Sequence, residues 1–178
     1  MQILIIILFI LVTAFLVMAI LGSSYNRQHT IVCVTHFKTD INKVWNDIIN
    51  IREEQKWRKD VKKIELSKNE HNQSIQIETD KYGKKKYFVI DTETQEYIQK
   101  RIITNNKSFS GEWQIKLSRE NSLTMVEITE TGEIYNTVLR FLYHTFFMKN
   151  STGKIYLYML ANYLNEKDSE IRQTQLSA

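Results

Sequence analysis

Three absences shape this sequence. It has no proline in 178 residues, a single cysteine, Cys33, and no ionisable side chain in its first 21 positions. One cysteine excludes an internal disulfide and any thiolate cluster, which fits a reducing compartment. Without proline, loop stiffness has to come from elsewhere. The four histidines, His29, His36, His71 and His144, form no H-x-x-x-H pair, so no metal centre is expected. No G-x-S-x-G, phosphate-binding loop or dinucleotide fingerprint occurs, and no cofactor is expected. There is no internal repeat or low-complexity tract, and the length suits one domain plus an appendage.

All 24 Lys and Arg and all 20 Asp and Glu lie beyond residue 21, so the net charge of +4 belongs wholly to the polar part of the chain. A bias this mild suits an anionic membrane surface or simple solubility. With no reading element, nucleic acid is not an expected partner. Residues 1–21 have only Gln2 and Thr13 as polar members. A run of this length crosses a bilayer core as a helix, and each Ile, Leu, Phe or Val favours insertion by roughly 0.3–0.6 kcal/mol. A cleaved signal peptide would show a charged start, a shorter apolar run and a clear A-x-A cleavage site, none of which is present. The expectation is a transmembrane anchor over 1–21 and a polar linker over 22–28. Arg27 and Lys38 after the span place the domain on the cytoplasmic side by the positive-inside rule.

Beyond the linker the pattern is strand, helix pair, strands, long helix. His29 to Phe37 is β-branched and alternating. Thr39 or Asp40 can cap a helix whose stripe is Ile41, Val44, Trp45 and Ile48, and a short helical turn covers Arg52 to Lys56. Further strands are expected over Val61–Leu66, Ser74–Thr79, Tyr87–Thr94, Tyr97–Thr104, Phe109–Leu117 and Leu123–Ile134, with a hairpin turn around Gly83. Hairpin-length links make the sheet antiparallel. From Thr137 to Asn165 apolar residues recur at helical spacing, among them Val138, Leu142, Phe146, Tyr156, Met159, Leu160 and Tyr163, interrupted at Lys149 to Gly153. A helix this long needs a large apolar surface. The expected fold is therefore α+β, a curved antiparallel sheet of about six to seven strands gripping a long C-terminal helix, over residues 29–167, with 168–178 as a flexible tail.

Several stretches resemble the START-like (SRPBCC) superfamily, which includes pollen-allergen-like and polyketide cyclase/dehydrase-like proteins. Val44-Trp45, then Trp57 with Val61 and Ile64, is similar to its helix pair and second strand. Gly111-Glu-Trp113-Gln-Ile115 followed by Thr124 to Ile134 is similar to its last two strands, and Tyr163-Leu164 to the end of its closing helix. The resemblance covers about His29 to Lys167. The proline such sequences often carry near the equivalents of Trp57 and Asn136 is absent. The resemblance implies a helix-grip fold with a cavity between sheet and helix, where members commonly bind apolar small molecules or lipids and a minority are enzymes.

Candidate ligand-binding residues follow. Phe141 and Phe146 belong to an aromatic arc, with Tyr143 and Phe147, too wide for one narrow stripe. Trp113 and Tyr97 are expected to line the cavity with them. Arg101 and Tyr97, on one strand face, can orient a polar head, and His144 is the only histidine on the gripping helix. No catalytic residue is assigned. The acidic pairs Glu53-Glu54 and Glu127/Glu130 are expected on solvated faces, and Trp45 and Trp57 in packing. Two basic groups, Lys84-Lys85-Lys86 and Lys56, Arg58, Lys59, Lys62, Lys63, are expected on the surface, with a membrane-facing role open to them. The expected function is a membrane-anchored domain binding an apolar small molecule or lipid. The alternatives are a cyclase- or hydratase-like enzyme on the same fold, or a tethered interaction domain without ligand.

Overall fold

The computed structural model describes residues 1–81, 83–91, 97–103 and 109–176. Thr94 and Thr104, the expected ends of two strands, lie outside them. The first helix, α1 (Gln2–Ser24), runs three residues past the expected span. Strand β1 (Gln28–Phe37) follows, then helices α2 (Ile41–Ile49) and α3 (Ile51–Trp57). Asp40 caps α2 by accepting from the Asn42 backbone N–H at 2.9 Å, and Asn50 caps α3 from Arg52 at 3.1 Å. These side chains satisfy donors that the first helical turn leaves open.

Six strands come next: β2 (Lys63–Lys68), β3 (Ser74–Thr79), β4 (Lys84–Asp91), β5 (Tyr97–Ile103), β6 (Phe109–Glu120) and β7 (Leu123–Ile134). Gly83, at φ 133°, takes the backbone that the β3–β4 turn requires and that L side chains rarely adopt. The sheet is antiparallel throughout, in the order β2-β3-β4-β5-β6-β7-β1-β8.

The eighth strand is a correction to the expected flexible tail. Residues Arg172–Leu176 form β8, paired along β1 from Val34↔Arg172 to Thr30↔Leu176. Side chains fix it as well as the ladder: the Gln173 amide donates to the Met148 carbonyl at 2.8 Å, and Thr35 donates to the Glu170 carbonyl at 2.9 Å. Without β8, β1 would be an open edge.

The long apolar run is also not one helix. It divides into α4 (Thr137–Leu142), a π-helical turn (Tyr143–Phe147), a 3₁₀ turn (Met148–Asn150) and α5 (Thr152–Tyr163). Ser151, in non-helical backbone, starts α5 by accepting from the Lys154 N–H. Gly153 lets α5 settle on the sheet, because a Cβ there would stand 3.2 Å from Ile128. Only α5 grips the sheet. Tyr156, Leu157 and Leu160 are fully buried against Ile31, Ile115, Val126 and Ile128. The preceding α4 leaves the sheet and packs on the C-terminal turns of α1.

Candidate functional site

The six expected ligand residues do not form one constellation. Side chains alternate along a strand, and on β5 the buried positions are Ile98 and Lys100. Tyr97 and Arg101 therefore share the outer face, where Arg101 bridges Glu112 at 2.9 Å. Trp113 does face the grip: its ring meets Tyr156 edge-on at 5.6 Å. Phe141 and His144 stand at the junction with α1. Phe146 is 63% exposed. The helical break splits the Phe141–Phe147 arc: Phe146 and Phe147 are exposed, Phe141 and His144 lie at α1, and Tyr143 stays against His29 of β1.

The grip interior holds groups not anticipated there. Glu54 and Arg58, four apart on and just after α3, meet Gln76 and Glu78 from β3 and Lys100 from β5, all nearly inaccessible. Arg58 donates to Glu54 at 3.0 Å, to Glu78 at 3.0 Å and to Asp60 at 2.7 and 2.8 Å. Gln76 donates to Glu54 and Glu78, and Lys100 to Glu54 at 3.3 Å. Buried charge survives only when paired and hydrogen-bonded in this way. Above the network, the Tyr156 ring packs edge-on to Trp57 at 4.8 Å, with the Arg58 guanidinium 5.1 Å from its centre. Burial pushes the Tyr156 phenol well above its ordinary range, and its hydroxyl has no partner among the described residues.

The pattern was present in the sequence. In Ser74–Thr79, Ile75 and Ile77 fall on the outer face and Gln76 and Glu78 on the inner one, an inversion that marks a polar interior. Glu54 and Arg58 have the spacing of a helical ion pair. Glu54 and Arg58 are thus corrections to the expected solvated surface. Two concavities among the described residues, of about 460 and 540 Å³, lie elsewhere: one at the β2–β3 turn, lined by Lys68, His71 and Ile75, the other on the outer face by His36, Met125 and Arg172. Neither touches the grip interior or any of the six expected residues.

The second assembly is the junction itself. Met18, Ala19 and Gly22, one face of α1, are the positions of that helix not fully open. Gly22 is required there: a Cβ would stand 1.9 Å from the Thr137 carbonyl oxygen. Arg140, buried, donates to the carbonyls of Gly22, Tyr25, Ile134 and Tyr135 at 3.0–3.3 Å. A guanidinium at the C-terminal end of α1 also suits the helix dipole. Around it, His144 stacks on Tyr25 at 4.6 Å with the rings nearly parallel, and His29 lies against Tyr143 at 4.4 Å. The His29 ring occupies the space above Gly132, where a Cβ would come within 2.3 Å. Burial, and secondarily His144, lowers the His29 pKa to about 4. Burial, helped by Arg140, also lowers that of His144, against a backbone hydrogen bond with Asn26. The His29 Nδ1, Tyr143 hydroxyl and His144 Nε2 are buried without partners among the described residues.

Among the described residues no group of three or more His, Cys, Asp or Glu is arranged to hold a metal ion.

Comparison with known proteins gives the fold. No protein-family model matches the sequence, and no curated protein matches it. Solved structures do. The di-domain ARO/CYC StfQ of the steffimycin biosynthetic pathway superposes with a TM-score of 0.59 at 12% identity, over 79% of this chain and 52% of its own. This chain thus spans about half the length of that protein. A conserved protein from Geobacillus kaustophilus gives 0.56 at 13% identity, covering 80% of this chain and 99% of that one. Norcoclaurine synthase from Thalictrum flavum gives 0.56 at 8% identity, covering 77% and 87%. With the eight-stranded antiparallel sheet closed on α5, these likenesses establish that the chain carries a helix-grip fold behind an N-terminal apolar helix.

Proposed function

We propose that the chain is a single-pass membrane protein whose helix-grip domain works as a binding module fixed at one bilayer surface, on the cytoplasmic side. The observation that carries this reading is the α1–α4 junction. A helix of 23 residues that is apolar all round is about 35 Å long, enough to cross a hydrocarbon core. It is tied to the domain by Arg140 and by the Gly22–Thr137 contact rather than by a loose linker. Such a docked anchor would hold the domain in one orientation to the membrane. Arg27 beside the span supports the cytoplasmic side.

For what is bound, an apolar small molecule or lipid between sheet and α5 is supported by the aromatic wall of Trp57, Trp113 and Tyr156. The solved neighbours, one named as an aromatase/cyclase and one as a synthase, are consistent with it. The Glu54–Arg58–Glu78 network favours a second reading, a tethered interaction domain whose grip is filled. Native mass spectrometry of the full chain released from lipid nanodiscs decides between them. A retained mass of a few hundred daltons, lost in Trp113→Ala, supports the ligand; a bare polypeptide mass with native circular dichroism supports the filled grip. Extraction of the full chain from membranes by alkaline carbonate would overturn the anchor.

A further inference from the structure

Antiparallel pairing sorts loops between the two ends of a sheet, and here it also sorts charge. The start of β1 at Gln28 pairs with Glu133 at the end of β7, and Ile134 pairs with Phe109 at the start of β6. Continuing across, Ile103 pairs with Lys86, Lys84 with Thr79, and Thr79 with Lys63. All of these stand at the end of the sheet from which α1 departs. The two basic stretches, far apart in sequence, therefore come to that same end. Lys59 and Lys62 precede β2, with the Lys62 N–H donating to the Thr79 carbonyl at 2.7 Å, and Lys84 opens β4.

Three carboxylates at this end are engaged by cations, while Glu133 accepts instead from the Tyr135 hydroxyl. Asp60 is held by Arg58, Asp80 by Lys85 and Glu65 by Lys63. Lys59, Lys62, Lys84 and Arg27 are exposed, and no ion pair engages them among the described residues. The opposite end is mixed in sign: Lys38, Lys68 and Arg119 stand among Asp40, Glu70, Glu120 and Glu166, and Arg119 is paired with Asp40.

We propose that the α1 end of the sheet is a lipid-headgroup contact surface, on which Lys59, Lys62, Lys84 and Arg27 rest against anionic phospholipid of the bilayer that α1 enters. The occupant follows from charge complementarity and from continuity with the span, since the end that delivers α1 to the membrane is the one where exposed cations gather, whereas Lys38 and Lys68 at the far end stand among acidic residues. Basic side chains beside a span are drawn to anionic lipid within a Debye length of the surface. The inference rests on reading α1 as a membrane span.

The test is amide hydrogen exchange of the full chain in phosphatidylcholine nanodiscs and in nanodiscs that also contain phosphatidylserine. With the anionic lipid, amides of 58–62 and 80–84 slow by at least about three-fold, those of the 69–73 turn do not change, and high salt reverses the effect. The variant Lys59→Glu/Lys62→Glu/Lys84→Glu loses the difference while its β1 amides remain protected; the salt arm needs no variant. Equal exchange in both nanodiscs, with α1 amides protected, overturns this inference and leaves the span standing. Slowing at 69–73 instead overturns it as well. Free exchange along α1 in both overturns the span and this surface together.

Discussion

Arg140 donates from Nη1 to the carbonyl oxygen of Gly22, a residue 118 positions earlier, at 3.3 Å. Its other donors reach Tyr25, Ile134 and Tyr135, so one side chain joins the end of α1, the end of β7 and the start of α4. Arg140→Met leaves these buried carbonyls without a donor, at a cost of roughly 1–3 kcal/mol. The expected result is faster proteolysis at residues 25–27 in the full-length protein. Arg140→Lys should not rescue, because an ammonium lacks the planar fork that serves several acceptors at once. Wild-type cleavage rates in either variant would refute this role.

The interior network predicts an asymmetric response. Removing Arg58 strands Glu54 and Glu78 together in the core, and losing one partner of a buried ionic set costs about 3–5 kcal/mol. Urea unfolding of Arg58→Met should show a loss of that order. Replacing Lys100, which touches Glu54 alone at 3.3 Å, should cost less. Equal losses would mean that Arg58 is not the centre of the network.

A third expectation concerns acid. The His29 pKa lies near 4 in the fold against an ordinary 6.5, so between these values the unfolded chain binds the extra proton and the folded chain does not. Stability is thus lost as pH falls through this window, by about 2 kcal/mol at pH 5 for this group alone. Glu130, held above the usual carboxylate range by burial, acts in the opposite sense. The measurement is therefore a difference: thermal unfolding at pH 7 and pH 5 for wild type and His29→Phe. A pH slope unchanged by the substitution would remove His29 as its source.

Phe146 and Tyr156 should separate cleanly. Phe146 is 63% exposed and Tyr156 1% exposed. Phe146→Ala is expected to cost under about 1 kcal/mol and Tyr156→Ala about 3–5 kcal/mol, by urea unfolding. A large loss at Phe146 would show that it packs against something in solution, such as lipid or a partner.

Ending the chain after Asp168 removes β8 and leaves the β1 ladder open. Uncovered edges recruit other strands, so the truncated protein should self-associate in sedimentation velocity where the full chain does not. A truncated chain that stays at the full chain's size would mean that β8 does not protect the edge.

Much of the fold was legible because the sheet obeys local rules. Ser74–Thr79 and Leu123–Ile134 are strands at the residues that alternation marked, and Asp40 caps α2 as its chemistry suggested. The site was less legible because it depends on where helices stop and which way strands face. Helical periodicity carries through Tyr143–Phe147, and it cannot reveal that this segment breaks and divides its aromatic side chains among β1, the α1 junction and solvent. Period-2 alternation places Tyr97 and Arg101 together but does not say which face is inside. Arg172–Leu176 is polar and short, so nothing apolar announced β8; its place comes from an unpaired neighbour, β1, far away in sequence.

The pairing of β1 also sets an order of events in synthesis. Its two neighbours, β7 and β8, are the last of the sheet's eight described strands in chain order, whereas β1 is the first. About 85 residues separate the end of β1 from the start of β7, roughly 4–17 s of elongation at 5–20 residues per second. During that interval a β-branched strand waits with both edges bare, directly behind a helix made for the bilayer. Sheet closure must wait until β7 and β8 have emerged, so the long-range pairing of β1 forms late relative to the rest of the domain, and β1 is the segment most in need of protection while the chain is nascent.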